Sequence, residues 1–169
     1  MVASSPPAKP LGRSLPQPGD GSRRGLALAG SALALAGLGV SAYLTYAHYT
    51  TPQVLACSDS GVINCAKVTT STYSEMLGVP VAVSGLIYFA VMLAAQSAWS
   101  WRSRLAGISA ARAIWSVTGL VFVAWLIRAE VHLGAICIYC TIVHIITVAI
   151  AALTFAGSCR GWLRNRSPW

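Results

Sequence analysis

Four of the five cysteines in this chain form two close pairs, and these pairs are the residues best suited to chemistry. Cys57 and Cys65 bracket the segment CSDSGVINC, and Cys137 and Cys140 form a Cys-X-X-Cys motif in the segment CIYC. Such pairs can form structural disulfides, bind a metal such as zinc, or exchange electrons as dithiol and disulfide. The fifth cysteine, Cys159, is expected to be a free thiol without a role.

Several features of the CIYC motif favour redox chemistry over the other two roles. A bridge between residues three apart closes so small a loop that it removes little chain entropy and adds little stability. A Cys-X-X-Cys motif at the start of a helix also favours the thiolate, because unpaired N–H groups and the helix dipole stabilise negative charge there. A zinc site would need all four thiols reduced and convergent, which an oxidising compartment opposes. Structural disulfides, paired within or across the two motifs, and a metal site remain as alternatives.

The composition indicates that these cysteines belong to a membrane protein. Hydrophobic residues make up 56% of the 169 residues and charged residues only 9%, against about 25% charged residues in a typical globular domain. A helix needs about 20 apolar residues to cross a bilayer, and backbone groups in lipid must be satisfied within their own segment. The sequence therefore predicts an all-α membrane protein, a bundle of four transmembrane helices at residues 25–46, 79–98, 110–129 and 137–157.

We expect one transmembrane redox domain over residues 25–157, between two short tails. The first 24 residues contain five prolines and no apolar periodicity, so they are expected to form a disordered cytoplasmic tail. Residues 158–169 are expected to form a basic cytoplasmic tail. A short amphipathic helix is expected to lie along the membrane surface within the first outer loop, residues 47–78.

The net charge of +8 is interpreted as a topology signal. Ten of the twelve lysine and arginine residues precede the first span, lie between the second span and the first turn of the third, or follow the fourth. The positive-inside rule then places both termini in the cytoplasm and both cysteine pairs on the outer side. The expected location is the bacterial inner membrane, with the cysteine loops facing an oxidising compartment and no nucleic acid as partner.

These features together resemble the vitamin K epoxide reductase family, and its bacterial branch most closely. The matching features are four spans, a cysteine pair in the first outer loop, a serine six residues after that pair, and a Cys-X-X-Cys motif that opens the last span. The matching segments are CSDSGVINCAKVTTS (57–71), YSEMLGVPVAVSGLIYF (73–89) and CIYCTIVH (137–144). The resemblance implies a quinone-dependent thiol–disulfide oxidoreductase that regenerates disulfide-forming enzymes.

The resemblance also implies a role for each paired cysteine. Cys57 would exchange with the thiol of a reduced thioredoxin-fold, DsbA-like partner, and Cys65 would pass the electrons to Cys137. Cys140 would face the electron acceptor, a membrane quinone such as ubiquinone, menaquinone or phylloquinone. Many bacterial members carry a fused thioredoxin-like domain, whereas this chain ends at Trp169, so a separate protein is expected as the partner.

Contacts to the quinone are implied as well. Ser71 matches the family's serine on the surface helix, where its hydroxyl would bond a quinone oxygen or a thiolate; a helix-capping role before Glu75 is the alternative. His144 lies one turn beyond Cys140 on the same helical face and would donate to a quinone carbonyl; the alternative is a neutral histidine bonded to a neighbouring helix. Apolar contacts are expected from Leu77, Val79, Val81, Leu86 and Ile138.

Two departures from the animal members bear on the substrate. The asparagine of their second helix falls on or near Val81, and the tyrosine four residues after their last motif cysteine falls on His144. Both changes argue against vitamin K epoxide, although reduction of vitamin K quinone or epoxide remains an alternative main role. Other classes left open are a DsbB-type oxidase, transport or binding of a soft metal by the paired cysteines, and a scaffold with structural bridges.

Overall fold

The computed structural model describes residues 20–51, 55, 57, 61–102 and 106–166. Over these residues the chain forms helices, one 3₁₀ turn and a small β-hairpin. In chain order the elements are α1 (Asp20–Tyr49), α2 (Cys65–Thr69), the 3₁₀ turn (Thr72–Ser74), β1 (Glu75–Met76), β2 (Val79–Pro80), α3 (Val81–Ala95), α4 (Ala98–Arg102), α5 (Ala106–Leu133) and α6 (Ile138–Arg166).

Among the described residues three helices are long and apolar enough to cross a membrane, in agreement with the prediction of an α-helical membrane protein. The three segments are Gly21–Tyr49, Gly107–Leu133 and Ile138–Cys159. Large apolar side chains on their outer surfaces are exposed, among them Leu28, Val121 and Ile145. So much exposed apolar surface suits contact with lipid rather than with water.

The second predicted span, residues 79–98, is shorter than expected. Val79 and Pro80 belong to the hairpin, and α3 ends at Ala95, which leaves 15 helical residues. A helix of that length rises about 22 Å, less than the hydrocarbon core of about 30 Å. The helix stops where Gln96 turns inward: its fully buried amide donates to the Thr154 hydroxyl and accepts from the Trp101 indole, each at 2.9 Å.

Two helices extend into the predicted tails. α1 begins at Asp20, inside the segment 1–24 that is expected to be disordered, while residues 1–19 lie outside the described residues. α6 continues to Arg166, through most of the predicted tail 158–169. No proline occurs in this segment before Pro168, so the backbone can remain helical.

Close helix packing builds the centre of the bundle. α1 lies against α3 and α6, and α5 lies against the same two helices. The core between them contains Phe89, Met92 and Ile150, all fully buried. A Cβ atom on Gly37 would lie 2.4 Å from the Phe89 ring, so the missing side chain lets α1 and α3 approach, as small residues do in membrane helix interfaces.

The loop after α1 contains less helix than expected. α2 has only five residues; Asn64 caps it by accepting the Lys67 N–H at 2.8 Å. Ser71 follows this helix and precedes the 3₁₀ turn, so the expectation that it lies on a surface helix is corrected. The hairpin beyond it reverses at Leu77 and Gly78, both with positive φ, which is the geometry of a tight two-residue turn.

Candidate active site

The structure brings the four paired cysteines into one cluster at one end of the bundle. Cys65 and Cys137 are fully buried, and Cys57 and Cys140, both half-buried, pack against the same cluster. Cys57 and Cys65 are joined by a disulfide with Cα atoms 6.0 Å apart, whereas Cys137 and Cys140 are free thiols. One oxidised pair and one reduced pair therefore share a single apolar environment.

A short parallel β-bridge holds the two cysteine segments together. Ile63 pairs with Ile136. The Ile136 N–H donates to the Val62 carbonyl at 2.8 Å, and the Asn64 N–H donates to the Ile136 carbonyl at 3.1 Å. Because these residues immediately precede Cys65 and Cys137, the bridge fixes the loop pair over the start of α6.

Cys137 occupies the N-cap position of α6, which begins at Ile138. Its sulfur accepts the Cys140 N–H at 3.4 Å, which satisfies one of the free donors of the first turn. The Cys140 thiol also donates to this sulfur, and that hydrogen bond lowers the pKa of the Cys137 thiol, although burial acts in the opposite direction. The arrangement favours a thiolate at Cys137 when the pair is reduced.

A cavity of about 360 Å³ opens beside the cysteine cluster, enclosed by α1, α3, α5, α6 and the loop around Ser71. Its walls are mostly apolar. Four of the residues with predicted contacts or roles line it: Cys140, His144, Ser71 and Val81. The structure thus gathers these four side chains around one apolar space next to a thiol.

Two buried polar atoms of cavity-lining residues have no hydrogen-bond partner among the described residues. They are the hydroxyl oxygen of Tyr88 and Nε2 of His144. The Tyr88 ring stacks on Trp115 at 6.2 Å with an interplanar angle of 14°. Unpaired polar groups in an apolar space call for a ligand that supplies hydrogen-bonding atoms, and a quinone, with a flat apolar ring and two carbonyl oxygens, fits these residues.

Neither Ser71 nor Nε2 of His144 makes, within the described residues, the hydrogen bond that its alternative role requires. The Ser71 hydroxyl donates to the Val68 carbonyl at 2.8 Å and makes no capping bond to the turn that follows. The capping alternative is therefore not supported. Nε2 of His144 makes no bond to a neighbouring helix within the described residues, so that alternative is not supported for this atom.

Four residues expected at the cavity do not line it: Leu77, Val79, Leu86 and Ile138. Leu77 is 98% exposed at the tip of the hairpin, and Ile138, 42% exposed, is the first residue of α6. Val79 is 44% exposed in β2, and Leu86 is half-buried on α3. Sequence spacing placed all four near the outer helix ends, but the two-residue turn directs Leu77 away from the bundle. The lining of the cavity does not support the contacts expected from these four residues.

Sequence reasoning missed two residues of the site, Tyr88 and Glu130. Tyr88 offered a weak signal, a hydroxyl within an apolar span. Glu130 is buried, lines the cavity and accepts the Cys137 N–H at 3.3 Å. A carboxylate among apolar residues is itself the signal that could have identified it.

The cysteines do not converge as four metal-binding thiols. Cys57 and Cys65 are bonded to each other. Within the part of the chain that the structure describes, no three histidine, cysteine, aspartate or glutamate residues form a group that could hold a metal ion. This geometry does not favour the zinc alternative.

A comparison with protein families agrees with this geometry. The model of the vitamin K epoxide reductase family matches residues 28–155, which is more than half of the chain and includes all four paired cysteines, the cavity helices and the bridge between Ile63 and Ile136. The chain therefore belongs to the vitamin K epoxide reductase family and is a membrane oxidoreductase.

Proposed function

We propose that this protein passes electrons from a reduced thioredoxin-fold, DsbA-like partner to a membrane quinone, and so supports disulfide-bond formation. The single observation that carries the proposal is the bridge between Ile63 and Ile136, which places Cys65 and Cys137 in one buried cluster. Two cysteine pairs held in this way can exchange a disulfide without exposing either inner thiol to water.

The first exchange involves the loop disulfide. Cys57 is half-buried and Cys65 is fully buried, so a partner thiolate reaches the sulfur of Cys57. Attack there forms a partner–Cys57 disulfide and releases Cys65 as a thiolate. The second thiol of the partner then attacks that mixed bond, which leaves the partner oxidised and Cys57 reduced.

The second exchange carries the electron pair inward, to the oxidised form of the Cys137–Cys140 pair. The Cys65 thiolate attacks Cys137, forms a Cys65–Cys137 disulfide and releases the Cys140 thiolate. Cys57 then attacks Cys65, which restores the loop disulfide and releases Cys137. The outcome is one partner dithiol oxidised and one disulfide at Cys137–Cys140 reduced.

The cavity beside Cys140 would hold the quinone. Tyr88 and His144 would hold its carbonyl oxygens, and the apolar walls would exclude water. A bound quinone supplies an acceptor for two electrons and two protons. Cys140 lines this cavity whereas Cys137 lies behind it in the cysteine cluster, which supports Cys140 as the thiol that faces the acceptor.

We further propose that α3 completes a four-span bundle, with both termini in the cytoplasm of a bacterial cell and the cysteine pairs outside. Support comes from packing: α3 contacts both α1 and α5, and Val91, which does not line the cavity, is exposed on α3. A bilayer can thin locally around a short helix at modest cost. The distribution of basic residues supports the orientation.

Anaerobic quinone reduction by the purified full-length protein tests the function. The protein is mixed with a reduced thioredoxin-fold protein and ubiquinone or menaquinone, and the quinone absorbance is followed. We expect multiple turnovers in the wild type, none in Cys140→Ser, and unchanged turnover in the control Cys159→Ser, whose thiol is exposed elsewhere on α6. Full turnover by Cys140→Ser would contradict the proposal.

A further inference from the structure

Glu130 is a buried carboxyl group placed between the thiol pair and the cavity. It is 9% exposed, and Oε1 accepts the Cys137 N–H at 3.3 Å. It lines the same cavity as Cys140 and His144. Among the described residues no basic side chain forms an ion pair with it.

Accepting the Cys137 N–H does not by itself require a carboxylate at this position. A glutamine would accept this N–H equally well, and it would avoid the free-energy cost of burying a group that can ionise. An unpaired ionisable group inside a membrane protein is best explained by proton handling. The exchange at Cys137 and Cys140 releases protons, and Glu130 is the carboxyl group in contact with that pair.

We infer that Glu130 positions Cys137 and accepts the proton that its thiol releases when the Cys137–Cys140 pair is oxidised, an inference that rests on the proposed function. In this oxidation two S–H bonds break and one S–S bond forms. Two electrons and two protons leave the pair. All four are taken up by the quinone, which becomes the quinol. The Glu130 carboxylate takes up the Cys137 proton as the thiolate forms, and the proton then passes into the cavity that Glu130 lines.

Other titratable groups share this space, and each must be considered in a pH experiment. Cys137 contacts Glu130 directly. The remaining titratable residues that line the cavity come from α1, the outer loop, α3 and α6, and they are His48, Tyr73, Tyr88, Cys140 and His144. A negative charge on Glu130 raises the pKa of the Cys137 thiol, whereas the hydrogen bond from Cys140 lowers it. Removing that charge therefore moves ionisation of Cys137 to lower pH.

Two readouts on the full-length reduced protein test the inference. The first is the pH profile of Cys137 alkylation by a small maleimide, quantified by mass spectrometry, which needs no quinone. The second is the single-turnover rate at which ubiquinone oxidises the thiol pair. Glu130→Gln keeps an acceptor for the Cys137 N–H but loses the charge, and Glu130→Ala loses both. Glu75→Gln is the control: it removes the charge of an exposed hairpin carboxyl group that lies 3.7 Å from His48 and does not contact Cys137.

For Glu130→Gln we expect alkylation of Cys137 at pH 7 to accelerate about threefold or more, because a nearby negative charge is gone. We expect the single-turnover rate to fall about tenfold, because a proton-transfer group is lost. Glu75→Gln should match the wild type in both. An unshifted alkylation profile, or an unchanged turnover rate, in Glu130→Gln would overturn the inference, and so would a defect confined to Glu130→Ala. If the wild type itself reduces no quinone, the proposed function fails, and the alkylation profile alone decides the role of Glu130.

Discussion

Ile63 and Ile136 pair through backbone hydrogen bonds, and this one bridge ties the loop disulfide to the redox motif on α6. The contact is made by backbone groups, so it holds the two segments in register without a bond between the two cysteine pairs. Disulfide formation needs Cα atoms within about 7 Å. The bridge supplies the approach of the two segments that a relay between Cys65 and Cys137 requires.

A trapped disulfide should report this approach. In Cys57→Ser/Cys140→Ser, Cys65 and Cys137 are the two thiols that remain in the cysteine cluster. We expect their disulfide to accumulate under oxidising conditions, as a crosslinked peptide pair in a non-reduced digest analysed by mass spectrometry.

The control for this experiment is Cys57→Ser/Cys137→Ser, which leaves Cys65 and Cys140. Cys140 is one helical turn further along α6 and lines the cavity, so we expect several-fold less crosslink. Equal crosslinking in both variants would indicate that the loop moves freely over α6 and that the bridge does not order the relay.

Local sequence patterns predicted the chemistry and the long helices better than the loop. The cysteine pairs and the apolar runs are visible without tertiary structure, and three of the four runs lie in long apolar helices of the described residues. The end of α3 depends on Gln96 reaching Thr154, 58 residues away, and the environment of Glu130 depends on Cys137 folding back onto α5. Such contacts between distant segments leave no periodic signal in the sequence. The turn at Leu77 and Gly78 is local, but it too leaves no periodic signal, and it removes Leu77 from the cavity.

A matched glycine pair on α1 tests the helix packing. A Cβ at Gly37 would lie 2.4 Å from the Phe89 ring, whereas a Cβ at Gly39 has no neighbour within 4 Å. We expect Gly37→Ala to lower the free energy of unfolding by about 1–3 kcal/mol, because overpacking forces side chains or backbone to shift. Gly39→Ala should be neutral or slightly stabilising, since alanine is the better helix former. Thermal unfolding in detergent measures both, and equal effects would contradict the observed contact of α1 with α3.

The unpaired hydroxyl of Tyr88 should strengthen quinone binding. Tyr88→Phe keeps the ring that stacks on Trp115 and removes only the hydroxyl, so we expect a loss of about 1 kcal/mol, roughly fivefold in Kd. Ser116→Ala is the matched control, because its buried hydroxyl also has no partner among the described residues but does not line the cavity. Quenching of tryptophan fluorescence by added quinone measures Kd, and equal affinity in wild type and Tyr88→Phe would exclude a contact through this oxygen.

The hydrogen bond from Cys140 should control ionisation of Cys137. A donor to sulfur stabilises the thiolate and lowers the pKa of the thiol, so the thiolate forms at lower pH. Cys140→Ala removes the side-chain donor, and we expect the pH midpoint of Cys137 alkylation to rise. Cys140→Ser retains a hydroxyl donor and should lie nearer the wild type. The rate of maleimide labelling against pH measures the midpoint, and a lower midpoint in Cys140→Ala would contradict the assigned donor.

The position of α3 in the membrane can be tested with reporter fusions on either side of it. Fusions after Ser60 and after Ser103 flank α3 and α4 in the sequence, with no other long helix between them. If α3 spans the bilayer, a periplasm-active phosphatase should be active only at Ser60 and a cytoplasm-active reporter only at Ser103. The physical reason is the cluster formed by Arg102, Arg104 and Arg112, which resists transfer across the membrane.

A fusion after Thr51 serves as the control, because it follows α1 directly and should behave like the fusion after Ser60. Activity on the same side at Ser60 and Ser103 would mean that the 15-residue α3 lies within one leaflet. The basic segment before α5 would then be on the same side as the cysteines, and the four-span proposal would have to be abandoned.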